Sequence, residues 1–114
     1  NFNSLYTNAE DTFTDFVSGT DKIQISKTAY SGFSADPLGL MASARFYQDT
    51  GVDASFVSNS DVGSSVNHRI AYDPDSGKIY YDPTGSGDSD DAVLIAILSN
   101  TPATISATDF MLAS

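Results

Sequence analysis

The densest group of side chains that could carry out chemistry is a run of oxygen donors between residues 82 and 91. Its members are Asp82, Thr84, Ser86, Asp88, Asp90 and Asp91. Calcium takes about six to eight oxygen ligands from acidic loops of this kind. The run has no bidentate Glu at the offset that an EF-hand requires. It is therefore either a calcium loop of another type or a solvated turn.

The sequence contains no set of residues that matches another common metal-binding or catalytic site. The chain has no Cys, and His68 is its single histidine, so neither a zinc site nor a catalytic triad can be built from the usual partners. Serine is abundant, but no G-x-S-x-G motif occurs. We therefore predict no catalytic residues, and we expect His68 at the surface or at a strand end.

Composition limits the class of protein. The chain has 114 residues, 40% of them hydrophobic, which suits one domain with a hydrophobic core, and we assign residues 1–114 to a single domain. The net charge of -10 argues against nucleic acid as a partner and favours cations. No apolar run approaches the roughly 18 residues needed to span a bilayer, so we expect no membrane insertion. We expect a monomer.

Two strand-like runs separated by a turn predict a β-hairpin over residues 68–82. The runs HRIAYD and KIYYD are rich in β-branched and aromatic residues, and Pro74 and Gly77 between them favour a tight turn. The predicted cross-strand pairs are Arg69–Asp82, Ile70–Tyr81, Ala71–Tyr80, Tyr72–Ile79 and Asp73–Lys78. This register gathers the large apolar residues on one face, places Tyr80 on the other, and sets opposite charges against each other.

Further strands and one short helix are predicted around the hairpin. Residues 92–98 are all apolar and predict a central strand that completes a three-strand meander, although periodicity alone also permits a buried helix. One short strand is expected on each side of the Ser18–Asp21 turn, and a last strand is expected near the C-terminus. Residues 38–47 follow Asp36-Pro37 and favour a helix. The predicted fold is mainly β, an antiparallel, sandwich-like cap with one short helix.

Three segments carry motifs that occur together, in this order, in one protein family. Residues 11–26 are similar to D-x-I-x-D-F-x-x-G-x-D-K-I-x-L-S, with Phe at the first apolar position. Residues 70–87 are similar to I-x-Y-D-x-x-T-G-x-L-Y-Y-D-x-D-G-x-G, with Ser76 in place of the usual Thr and Thr84 in place of the usual second Asp. The ending is similar to S-D-F followed by apolar residues. Together they resemble the C-terminal region of secreted RTX proteins, the hemolysin-type calcium-binding family that includes the serralysin proteases.

The resemblance implies a non-catalytic, secreted, extracellular module. Such a module caps a calcium-bound parallel β-roll that lies upstream in the same chain, and a type I secretion apparatus exports it by an uncleaved C-terminal signal. The signal would comprise Asp109, Phe110, Met111 and Leu112. Asp11, Asp15 and Asp21 would complete the last calcium site of the roll. The glycine-rich nonapeptides that define the roll are absent from this sequence, so the roll would precede it.

Two other hypotheses remain open. Asp36-Pro37-Leu38 resembles the cleavage motif of a calcium-triggered self-processing module in some RTX relatives, but Gly39–Phe46 lacks the acidic loop expected after it. Alternatively, the domain binds a glycan or a partner protein through exposed aromatic residues. The candidates are Tyr30, Tyr47 and Tyr80. Burial of Tyr80 would count against this binding hypothesis.

We expect calcium to bind and stabilise the isolated chain only weakly. Calcium sites of a β-roll are built between successive turns, so one loop supplies only part of a shell of about six or more oxygens. Apolar residues can organise the core without metal. They are Phe16, Ile23, Ile70, Tyr72, Ile79, Tyr81, residues 92–98 and Phe110.

Thermal melts should test this expectation directly. At a free calcium concentration equal to the Kd, mass action adds only about 0.4 kcal/mol to the free energy of unfolding. Melts in millimolar calcium and in chelator should therefore nearly coincide. A chain that is unfolded in chelator and folds cooperatively on adding calcium would contradict the expectation.

Overall fold

The computed structural model describes residues 2–5, 11–50, 68–82 and 93–113. These residues form a mainly β structure, as predicted. The strands are β1 (Phe2–Leu5), β2 (Asp11–Phe13), β3 (Lys22–Ser26), β4 (Gly39–Leu40), β5 (Phe46–Gln48), β6 (Ile70–Tyr72), β7 (Lys78–Tyr81), β8 (Val93–Leu98) and β9 (Phe110–Ala113). Single turns of 3-10 helix lie at Ser31–Phe33, Ser43–Arg45 and Ala107–Asp109.

The strands form two sheets, each of mixed direction. Sheet A has the order β1-β3-β9-β4, and sheet B has the order β2-β8-β7-β6-β5. Strands β6, β7 and β8 form the predicted antiparallel meander. Outside the meander, β4-β9 is also antiparallel, but the expectation is wrong for β1-β3-β9, β2-β8 and β5-β6, which are parallel. Parallel pairs require long crossovers, and here the chain crosses between the sheets.

Five strands form a coil in which the chain alternates between the two sheets. The path runs from β1 in sheet A to β2 in sheet B and back to β3 in sheet A, and later from β8 in sheet B to β9 in sheet A. Phe2 lies opposite Lys22, an offset of 20 residues, which is the difference between their numbers. Strands β4 to β7 belong to an excursion of the chain between β3 and β8. We call these two parts the coil and the excursion.

The hairpin has the predicted register. Ile70 lies opposite Tyr81, and Tyr72 opposite Ile79. The backbone N–H of Asp73 donates to the Lys78 carbonyl at 3.0 Å, which extends the pairing to the turn. The predicted core residues of the hairpin are all buried, and they pack in one cluster with residues of sheet A. Residues 93–98 are a strand, as predicted, and a bulge between Ile79 and Tyr80 adjusts the pairing of β7 with β8.

The helix predicted over residues 38–47 is present only as the 3-10 turn Ser43–Arg45. Gly39 has φ +114°, which is incompatible with a helix, and β4 and β5 take the two ends of the segment. Met41 is buried, and the rings of Phe46 and Phe110 pack with their centroids 5.8 Å apart. These tertiary contacts outweigh the helix propensity of the segment.

Tyr81, in β7, contacts the segment between β3 and β4 through both its ring and its hydroxyl. Its ring lies edge-on to Tyr30, with centroids 4.9 Å apart, and stacks with Phe33 at 5.9 Å. Its hydroxyl accepts a hydrogen bond from the Gly32 N–H at 2.7 Å. Burial raises the pKa of the Tyr81 hydroxyl above its ordinary value. The 3-10 turn at Ser31–Phe33 is thereby fixed against β7.

Gly77 provides a sharp test of how the hairpin turn packs. It has φ +77°, and a Cβ there would overlap the carbonyl oxygen of Leu98 and lie 2.9 Å from its carbonyl carbon. We expect Gly77→Ala to lower the free energy of unfolding by about 3 kcal/mol or more, since backbone strain and overlap add. Gly19 has φ +85° with nothing near its Cβ position, so Gly19→Ala should cost only about 1–2 kcal/mol. Urea unfolding measures both, and equal losses would contradict the proposed overlap.

Candidate functional site

The predicted export signal begins at Asp109, in the 3-10 turn that leads into β9. Ser106 precedes this turn as its N-cap, and the two residues form a capping box: the Ser106 side chain accepts from the Asp109 N–H, and the Asp109 carboxylate accepts from the Ser106 N–H. The pattern S-x-x-D that specifies such a cap is visible in the sequence. The cap fixes the direction in which β9 starts.

The carboxylate of Asp109 also binds a turn some 90 residues earlier in the chain. Its Oδ1 accepts from the Gly19 N–H at 2.8 Å, and its Oδ2 accepts from the Ser18 hydroxyl at 2.5 Å and from the Ser106 N–H at 2.9 Å. Asp109 is only 1% exposed. Three donors therefore offset the cost of removing this charge from water.

The earlier turn is built to present those donors. The carbonyl of Val17 accepts from the N–H groups of Thr20 and Asp21, and the Asp21 carboxylate accepts from the Val17 N–H at 2.9 Å. The Val17 N–H lowers the pKa of the Asp21 carboxyl below its ordinary value. With Gly19 at φ +85°, the turn directs the Gly19 N–H at Asp109. Sequence reasoning predicted this turn but not its contact with Asp109.

The remaining predicted signal residues form the interior of sheet A. Phe110 and Leu112 are buried, whereas Met111 is partly exposed. They belong to β9, which lies between β3 and β4. Ile23 pairs with Phe110, and Ile25 with Leu112. The segment proposed as a signal is thus also a central strand of the fold.

Most of the predicted calcium ligands lie outside the described residues. These are Thr84, Ser86, Asp88, Asp90 and Asp91. Asp82, at the end of β7, is fully buried, Asp15 is exposed, and Asp21 closes its own turn. Asp11 pairs through its backbone with Ala96. Within the described ranges, no three His or acidic side chains form a group that could hold a metal. Calcium binding stays a prediction.

Asp36, the candidate cleavage residue, is held by Arg45. The guanidinium donates from Nε to Oδ2 at 2.9 Å and from Nη2 to Oδ1 at 2.8 Å. This pair lowers the pKa of the Asp36 carboxyl and raises that of Arg45. The backbone carbonyl of Asp36 also accepts from the Lys27 ammonium. Self-processing at Asp36 stays a hypothesis.

The aromatic candidates for a binding surface are mostly buried. Tyr30 is 1% exposed and Tyr80 is 8% exposed, so the binding hypothesis loses its most discriminating residue. Tyr47 is half-buried and stacks on His68, with ring centroids 5.2 Å apart. Burial lowers the pKa of His68. As predicted, His68 lies just before a strand, and it is partly exposed.

Comparison with protein-family models, curated proteins and solved structures finds no match to this chain. In the part of the chain that the structure describes, no helix has the length and apolar character needed to cross a bilayer.

The contacts of Asp109 predict a large and specific effect of neutralising it. Asp109→Asn replaces one acceptor oxygen by an NH2 group that faces N–H and O–H donors, so we expect a loss of about 2 kcal/mol in the free energy of unfolding. Asp15→Asn makes the same chemical change at an exposed residue and should cost at most about 0.5 kcal/mol. Chemical denaturation of the two variants measures both losses in the free energy of unfolding. Similar losses would show that Asp109 does not hold the two segments together.

Proposed function

We propose that this chain is a non-catalytic, extracellular module that caps an upstream calcium-binding β-roll and carries a type I secretion signal at its C-terminus. The observation that carries the proposal is the coil. Strands β1, β2, β3, β8 and β9 alternate between two sheets, and every pair among them that shares a ladder is parallel. A parallel β-roll has the same alternation, so the coil is a suitable continuation of one.

The segments that resemble RTX proteins support the same conclusion. The first segment, residues 11–26, contains the turn whose Ser18 and Gly19 donate to Asp109 of the closing segment. The same two segments also meet as β3 and β9, which pair along Ile23–Ser26. The middle segment contains β7, which pairs with β8, and β8 pairs with β2 of the first segment. All three segments that carry the resemblance are therefore joined in one structure.

The acidic charge of the chain and the expected calcium binding are consistent with this role. The five Asp residues after Lys78, with no basic residue among them, give the C-terminal third a strongly acidic character. In the proposal, calcium is held by oxygen donors of residues 82–91, and by Asp11, Asp15 and Asp21 together with upstream ligands. No catalytic role is assigned to the module, and Asp36 keeps its pairing with Arg45.

Export of a fused passenger tests the proposed signal. Deleting residues 109–114 should abolish export in a host with a type I secretion apparatus, because the signal is removed. The deletion also removes β9, so a destabilised variant with an intact tail is the matched control. Gly77→Ala disturbs the hairpin turn and leaves the tail unchanged, and it should still be exported. Unchanged export of the truncated chain would refute the proposal.

A further inference from the structure

A surface cavity of about 310 Å³ lies beside the turn that follows β3. The described residues that line it are Lys27, Thr28, Ser34 and Leu38. They comprise one cation, two hydroxyl groups and one branched apolar side chain, and no carboxylate is among them. The volume lies at the lower end of the range of small-molecule sites, about 300–1,000 Å³. The cavity therefore has room for a small ligand, and the charge of its described lining is positive.

The charge of Lys27 is not cancelled by the neighbouring Asp36. The Asp36 carboxylate accepts two hydrogen bonds from Arg45, at 2.9 and 2.8 Å, whereas the Lys27 ammonium donates to the backbone carbonyl of Asp36. A carbonyl is uncharged, and an ammonium has three N–H donors, so Lys27 can donate to a further acceptor. Lys27, Arg45 and Arg69, three of the five basic residues of the chain, all act on this one carboxylate. A small anion is therefore attracted here although the chain as a whole is acidic.

Hydrogen bonds and core packing hold the walls of the cavity in place. The Lys27 N–H donates to the Ala113 carbonyl at 2.7 Å, and the Ser34 N–H donates to the Ser31 carbonyl at 3.0 Å. Phe33, next to Ser34, is fully buried in the core. Because the backbone beneath the lining side chains is already ordered, a ligand does not have to organise it on binding.

The donors of the cavity suit one negative charge, and Leu38 suits an apolar group beside that charge. The two guanidinium groups nearby have protein partners, since Arg45 binds Asp36 and the Arg69 Nε donates to the Gly32 carbonyl at 3.2 Å. One ammonium and two hydroxyls match a carboxylate better than a doubly charged phosphate. Leu38 is 60% exposed, so covering it with an apolar group removes apolar surface from water.

We infer that this cavity binds a carboxylate that carries a short apolar group. Lys27, Thr28 and Ser34 hold the carboxylate, and Leu38 packs against the apolar group. A free carboxylic acid of low mass and the last residue of a peptide both present these two groups. The inference goes beyond the proposed function and depends neither on export nor on calcium.

NMR titration of the 114-residue chain with N-acetyl-leucine, at constant pH and ionic strength, tests the inference. We expect saturable shifts of the backbone amides of Lys27, Thr28 and Ser34, with a Kd in the millimolar range because the cavity is open to solvent. N-acetyl-leucinamide has a neutral amide in place of the carboxylate and should cause no such shifts. Equal shifts with the two compounds would overturn the inference.

Two lysine variants test the role of the cation. Lys27→Gln should raise the Kd for N-acetyl-leucine about tenfold, because a charge-assisted hydrogen bond is lost. Lys22→Gln is the same chemical change at the opposite end of β3, about 16 Å away along the strand, and should leave the Kd unchanged. Equal Kd values for the two variants would overturn the assigned site.

Leu38→Ser tests the apolar wall, and it serves as the test if Lys27→Gln does not fold, because Leu38 is exposed. It should raise the Kd for N-acetyl-leucine at least about threefold and leave that for acetate unchanged. An unchanged Kd for N-acetyl-leucine, or tighter binding of inorganic phosphate than of N-acetyl-leucine by the native chain, would overturn the assigned ligand class.

A tetrapeptide that ends in leucine separates the two sources of the carboxylate. If it binds at least about tenfold more tightly than N-acetyl-leucine, the occupant is the end of a peptide chain, because the preceding residues add contacts. Any smaller gain identifies a free acid.

Discussion

The structure depends on one buried charge. The carboxylate of Asp109 is shielded from water and has to be bound, and its partners come from two places: the cap at Ser106 and the turn at Ser18 and Gly19. A buried carboxylate that lost these donors would retain the cost of desolvation without compensation. Binding the turn sets β3 beside β9 in a single register, with Ile23 opposite Phe110. One carboxylate side chain thus connects the turn before β3 to the turn before β9.

A second junction, at the end of β8, joins the coil to the excursion. The Leu98 N–H donates to the Gly77 carbonyl at 2.7 Å, and the next residue, Ser99, donates its N–H to the Phe13 carbonyl at 2.9 Å. The side chain of Asn100 donates to the Phe16 carbonyl at 2.9 Å. Three consecutive residues, 98–100, therefore connect the end of β8 to the hairpin turn and to the end of β2. Because Gly77 approaches Leu98 backbone to backbone, the turn residue is fixed by packing as well as by its φ.

The hairpin could be predicted from the sequence because its signals are local. Pro74 and Gly77 specify the turn, and alternation of apolar residues on both sides specifies the register. The coil could not, because Asp11 pairs with Ala96 across a separation that no local pattern reports. The helix prediction failed for the same reason, since partners distant in sequence bury Met41 and pair the flanking residues as strands. The resemblance of the closing segment to S-D-F singled out Asp109, but its donors are set by the fold.

Two kinds of partner hold the acidic side chains of the fold. In the coil, Asp21 and Asp109 are held by N–H and O–H donors, whereas in the excursion Asp36 is held by Arg45, with Arg69 and Lys27 also acting on it. The ordinary pKa of 3.8 is lowered at Asp36, so its pairing stabilises the fold above that pH and is lost as the pH falls through the lower, folded value. The pair is partly exposed, so salt also weakens it. The N–H and O–H donors at Asp109 are neutral, and the carboxylate that accepts their hydrogen bonds is buried. Changes in salt therefore act first on the Asp36–Arg45 pair of the excursion.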